Sequence, residues 1–198
     1  ITCIFYRDGR PVDPADVDRM GRTMAHRGPG GSGAWVDGAA GLGHLMLHST
    51  PESLQEKLPL TIAGGDLTIT ADARIDNREE LISALGLTGR PAGEIGDNEL
   101  ILRAYERWGE DCPKKLLGDF AFAIWDGRKQ QMFCARDHFG MKPFHYYLSG
   151  ATFAFGSEIK ALLALSDVPH RVNETRIGDF FAGIIEDKES TFYQDILR

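Results

Sequence analysis

Apolar and polar positions alternate with a period of two over residues 4–6, 41–47, 67–71, 120–125, 132–136 and 152–155. That period puts successive side chains on opposite faces of an extended chain, so each stretch predicts a β-strand. Asp126-Gly127 lies between two of them and predicts a tight hairpin, because glycine takes the positive φ such turns need. Ser149-Gly150 predicts a second hairpin, from residues 144–147 to Thr152.

A 3.6-residue period appears in fewer places. Asp13 before Pro14 gives an N-cap and a first-turn proline, with Val17, Met20 and Met24 on one face. Asn98 predicts the cap of a helix carrying Leu100, Ile101, Ala104, Tyr105 and Trp108 and stopped by Gly109. Shorter helices are expected over residues 78–85 and 158–165. Strands thus come both in hairpins and separated by helices, which predicts an α+β fold of antiparallel sheets covered by helices rather than a parallel doubly wound sheet.

The 198 residues suit one domain, and no repeat or low-complexity tract divides them. The formal charge of −7, with both signs interspersed, argues against nucleic acid as a partner, since phosphate binding wants a basic face. Cys3, Cys112 and Cys134 are odd in number and lack CxxC spacing, so neither a disulfide framework nor a zinc site is expected. No histidine spacing suggests a metal either. Without a spanning apolar stretch or a signal-peptide pattern, a cytoplasmic protein away from membranes is expected. Residues 190–198 end on an apolar pattern without a helix stop, so more chain is expected after Arg198; Ile1 is no translational start, so processing or a preceding segment is expected before it.

Several ordered blocks resemble the class II glutamine amidotransferase domain of asparagine synthetases. His26-Arg27-Gly28-Pro29-Gly30 resembles that family's HRGPD loop and Gly96-Asp97-Asn98-Glu99 its SDTE helix start. Leu117 to Asp126, Ala135 to Phe144 and Phe155 to Leu162 resemble its LxGxFAFAIWD, ARDxxGxKPLYY and FASEIKAL blocks. The resemblance implies an N-terminal nucleophile hydrolase-type four-layer sandwich, two antiparallel sheets between helical layers. It also implies a C-terminal synthetase domain in cis that uses ATP and Mg, with no cofactor in residues 1–198. A homodimer is allowed by the same analogy, without a residue pattern of its own.

In such domains a terminal cysteine attacks the glutamine amide with its own α-amine as base. Aligning Ile4-Phe5 with the family's CGIF opening puts Thr2 at the nucleophile and Cys3 at the following glycine, so both are nucleophile candidates; as plain sequence they also read as part of a buried first strand. The resemblance puts Asp72 and Ala73 at the oxyanion hole, where the family has asparagine and glycine. An ionised carboxylate only accepts hydrogen bonds and opposes an oxyanion. Met46 stands where the family's arginine clamps the substrate carboxylate, a fork a thioether cannot imitate, and Gly30 replaces the loop aspartate. Asp97 matches the aspartate that holds the substrate amine, and equally reads as an acidic residue at a helix start.

These losses fall on one pocket, so the expectation is a glutaminase-type domain that has lost glutamine hydrolysis and serves as the scaffold of an amide-forming ligase, with an amino-acid-like ligand still allowed through Asp97. An active glutaminase feeding an asparagine synthetase and a free-standing binding module are the competing expectations.

Overall fold

The computed structural model describes residues 1–184 and 186–198. Strands β1 (Thr2–Tyr6), β2 (Ser32–Asp37), β3 (Ala40–Leu45), β8 (His145–Leu148), β9 (Thr152–Gly156) and β10 (Ile196–Leu197) form one antiparallel sheet in the order β10-β8-β9-β1-β3-β2. Strands β4 (Leu60–Ile62), β5 (Leu67–Ile75), β6 (Gly118–Asp126) and β7 (Gln131–Arg136) form the other in chain order, also antiparallel. The helices are α1 (Pro14–Thr23), α2 (Arg78–Ala84), α3 (Asp97–Trp108), α4 (Ile159–Leu163) and α5 (Glu174–Ala182).

The period-two alternation sorts the strand side chains into three apolar layers. Ile4, Tyr6 and Ala154 turn outward and meet Val17 and Met20 of α1 and Leu162 of α4. Ile69, Ala71 and Phe122 turn outward from the second sheet onto Leu100, Ile101 and Tyr105 of α3. The opposite faces meet each other through Cys3, Leu42, Ala121, Ala123, Trp125 and Phe155. Helix, sheet, sheet and helix make four layers, as the α+β expectation required. Among the described residues no helix is long and apolar enough to cross a membrane.

Helix α1 begins as its sequence predicts, with the Asp13 carboxylate accepting the Ala15 N–H at 2.9 Å. Helix α3 does not. Its cap is Gly96, which offers no side chain, and the predicted cap Asn98 lies in the first turn. The orphan N–H of Asn98 is instead taken at 2.9 Å by Glu56, 42 residues away, which puts a carboxylate at the positive end of the helix. A Cβ at Gly96 would lie 2.1 Å from Glu56 Oε1, so the glycine makes room for this cap.

The hairpin forms where Asp126-Gly127 predicts it, but it does not turn on a positive φ at the glycine. Residues 127–130 form the loop, and the positive φ falls on Gln130 at 52° rather than on Gly127. Asp126 ends β6 fully buried, with its carboxylate accepting from Tyr105 Oη at 3.2 Å and the Arg128 N–H at 3.1 Å. Those bonds fix the turn from the strand side. The expected strand over residues 41–47 ends at Leu45, and the expected short helices contract to Arg78–Ala84 and Ile159–Leu163. Strands β2, β4 and β10 and helix α5 were not predicted. β2 follows a glycine-rich run that reads as loop, yet it pairs with β3 over its whole length.

Candidate functional site

Between the sheets the apolar layer gives way to a cavity of ≈ 380 Å³. The change happens within single strands. On β3 the inward positions run Ala40, Leu42, then His44, and Met46 follows just past the strand; on β5 they run Thr68, Thr70, then Asp72, which sits opposite Ala121 of β6. One step along β3 replaces packed carbon with an imidazole, and one step along β5 replaces a hydroxyl with a carboxylate.

Asp72 lines the cavity, and its carboxylate is held by Lys142 Nζ at 2.8 Å and Arg27 at 3.7 Å. Lys142 arrives on a tightly built loop. The Asp137 carboxylate accepts the backbone N–H groups of Phe120, Phe139, Met141 and Lys142 at 3.0–3.3 Å. Burial opposes the Asp137 charge, but these four donors outweigh it and hold the carboxyl below its ordinary range. Arg136 braces the same loop by donating to the carbonyls of Gly140 and Lys142. Arg27 also reaches Glu158 at 3.2 Å. Burial works against the Glu158 carboxylate, yet Lys160, Arg27 and His26 together bring it down to about 2.

His44 is buried and its Nδ1 lies 3.2 Å from Thr70 Oγ1. The Thr70 hydroxyl donates its only proton to the Gly43 carbonyl at 3.1 Å, so His44 Nδ1 must be the donor and Nε2 the bare acceptor. Burial lowers its pKa to about 3, which keeps the ring neutral at physiological pH.

Met46 and Ala73 line the cavity at their family-equivalent positions. Gly30 donates its N–H to the Met46 carbonyl at 3.0 Å, and a Cβ there would lie 3.0 Å from both that oxygen and the His48 ring. The loop thus leaves little room for the aspartate that the resemblance expects.

Thr2 and Cys3 do not line the cavity. Thr2 turns toward α1, with its buried hydroxyl unpartnered against Gly43 beside a second cavity of ≈ 210 Å³. Cys3 lies in the layer between the sheets, where burial pushes its thiol far above the ordinary range and away from the reactive thiolate. The residue of this segment that lines the cavity is Ile1. Alignment puts Thr2 at the nucleophile; strand parity puts Ile1 in the pocket.

Asp97 stands behind the cavity rather than in it. It is 4% exposed, pairs with Arg78 and accepts the Ile75 N–H at 3.2 Å. Burial raises its pKa against the pull of Arg78. These contacts make the carboxylate a tie between α3, α2 and β5 rather than a cap on α3 itself. The adjacent Asn98 lines the cavity instead, its amide donating to both Glu56 oxygens at 3.2 Å. Burial raises Glu56 as well, partly offset by these bonds.

Sequence reasoning missed Glu56 and gave Arg27 and Lys142 no role of their own. Arg27 and Lys142 lie within the family blocks, which was the available signal; Glu56 had none. The hydroxyls lining the cavity among the described residues belong to Ser49 and Ser53. Ser53 Oγ donates to the Thr50 carbonyl at 2.6 Å and lies 3.4 Å from His48 Nδ1, so its proton is directed away from that base.

Comparison with known proteins decides the family: residues 3–198 match the family model described as a glutamine amidotransferase domain. The chain belongs to that family. It is 38% identical over 166 residues to "Asparagine synthetase [glutamine-hydrolyzing] 3" of Bacillus subtilis, covering 83% of this chain and 27% of that protein. It is 31% identical over 199 residues to "Putative asparagine synthetase [glutamine-hydrolyzing] 2" of Methanocaldococcus jannaschii, covering 90% and 38%. The chain therefore spans between a quarter and two fifths of the length of these relatives. Among solved structures it resembles the glutamine phosphoribosylpyrophosphate amidotransferase of B. subtilis complexed with ADP and GMP, with a TM-score of 0.67, 18% identity and coverage of 82% of this chain and 42% of that one. That likeness concerns the fold alone, and the four layers are those of an N-terminal nucleophile hydrolase-type sandwich.

Proposed function

We propose that this amidotransferase domain is impaired or inactive in glutamine hydrolysis and serves as the scaffold of an asparagine-synthetase-like, ATP-dependent amide-forming ligase. The observation that carries the reading is Asp72 in the cavity, bound to Lys142 and Arg27. Hydrolysis of an amide develops negative charge on the carbonyl oxygen, and the site must present donors to it, each contributing about 3 kcal/mol or more. At this position the chain presents a carboxylate, and the nearest cations are engaged with it.

Substrate capture points the same way. Met46 offers no fork for a carboxylate, and Asp97 is committed to Arg78 and the Ile75 N–H. With Thr2 and Cys3 directed elsewhere and Gly30 in place of the loop aspartate, the nucleophile, the oxyanion hole, the carboxylate clamp and the loop all depart from the family pattern, while Asp97 keeps its residue type. The further part of the ligase is expected to follow in cis and to hold ATP and Mg in a cytoplasmic enzyme. No step in residues 1–198 is assigned to them.

The reading that competes is an active domain supplying ammonia, and the names of the relatives favour it. Calorimetric titration with L-glutamine separates the two. The scaffold reading expects no saturable heat from the natural protein and measurable binding once Met46→Arg and Asp72→Asn are combined. Tight binding by the natural protein would favour the active reading.

A further inference from the structure

Helix α5 buries none of its residues. Both ends are well made, since Asn173 accepts the Arg176 N–H at 3.1 Å and Gly183 closes the helix in the left-handed region at φ 73°. Nine residues are nevertheless too few for a helix to persist on its own hydrogen bonds, so its stability must come from packing. Phe180 is 65% exposed, Phe181 83% and Phe192, on the returning segment, 44%. The rings of Phe181 and Phe192 both stand edge-on to Phe180, with centroids 5.8 and 5.6 Å away. The patch is firmly placed, because Asn173 donates its backbone N–H to the Phe192 carbonyl at 2.8 Å and its side-chain amide to the Thr191 carbonyl at 3.2 Å. A fixed cluster of exposed aromatic rings on a soluble domain marks a surface that something covers.

Two sizes decide what covers it. Taking about 200 Å² per ring, the exposed parts of the three rings sum to roughly 400 Å². One partner of a standard interface between separate molecules buries about 800 Å². The patch is thus small for a second copy but sufficient for a tethered domain, whose effective concentration is set by the linker rather than by dilution. The relatives supply the candidate, since well over half of each lies outside its match to this chain.

We propose that the Phe180, Phe181 and Phe192 face of α5 is the seat against which the domain that follows Arg198 docks in cis, through an apolar surface of its own. The inference rests on the reading that a further domain follows, and not on whether glutamine is hydrolysed.

Hydroxyl-radical footprinting of the full-length gene product tests it, comparing the oxidation rates of Phe180 and Phe181 in the folded protein and in the same protein unfolded in denaturant. The expected result is severalfold protection of both rings in the folded chain, unchanged on dilution to a sedimenting monomer. Rates equal to those of the unfolded chain overturn the inference. Protection that disappears on dilution also overturns it, in favour of a second copy. A gene product ending near Arg198 removes the further-domain reading together with this one, whereas exposed rings in a longer chain remove this one alone.

Discussion

The two sheets face each other twice, once around Leu42, Trp125 and Phe155 and once around Asp72, Lys142 and His44. At the first end Ala121 and Ala123 lie beside the Trp125 indole, whose ring is tilted against Phe5 with centroids 5.3 Å apart, and the layer is filled with carbon. At the second end β3 carries the neutral His44 and β5 carries Asp72, whose charge is answered by Lys142 and Arg27. Stability is concentrated where the layer is filled. The hollow end is held by ion pairs that contribute little individually, which leaves it free to vary in sequence while the sandwich stays intact.

The largest test of that contrast is Trp125→Ala. Removing a fully enclosed indole should lower stability by about 3–5 kcal/mol in denaturant unfolding; a loss below about 1 kcal/mol would mean that the filled half does not carry the fold.

His44 comes next. Its folded pKa of about 3 lies below the unfolded value near 6.5, so the unfolded chain binds the extra proton between those limits. Stability from the neutral ring is therefore complete above about pH 6.5 and declines as pH falls toward 3, by up to about 1.4 kcal/mol per pH unit. Glu158 acts in the same direction over a lower window, because its carboxyl titrates near 2 in the fold. Thermal melts of His44→Gln should show the decline between pH 6.5 and about 4.5 flattened; an unchanged slope would remove His44 as its source.

Asp72→Asn should cost less than about 1 kcal/mol, since the carboxylate is about a third exposed and its partners stay solvated. A loss as large as that of Trp125→Ala would erase the distinction between the two halves. The smallest effect is expected at Arg22→Ala, which breaks the exposed pair with Asp18 on α1. Its cost of about 0.3–0.5 kcal/mol should vanish in high salt.

Most of the filled half was legible in the sequence. The alternating runs of β1, β5, β6 and β9 gave its strands, and Asp13-Pro14 gave the start of α1, because those signals are local. The hollow half was legible only as a set of departures from the family pattern. Glu56 caps a helix 42 residues away, a relation that no spacing reveals. Asp97 fits a helix start from either reading, and its pairing with Arg78, 19 residues away, has no local signal. Thr2 illustrates a subtler limit. Alternation fixes which residues share a face, but which face looks into the sandwich is decided by the packing of Ile4 and Tyr6 on α1 and α4, and that packing turns Thr2 away. Phe180 and Phe181 of α5 are adjacent and exposed, so they give neither a 3.6-residue pattern nor a core to point at.

The proposed loss of glutamine hydrolysis in a domain that keeps the family fold has a direct assay. Ammonia release from L-glutamine is measured for the full-length protein isolated from its own cell, beside Thr2→Ala and Cys3→Ala variants. The expected result is no glutamine-dependent ammonia above the spontaneous rate, and the same background from both variants. Release that either substitution abolishes would contradict it.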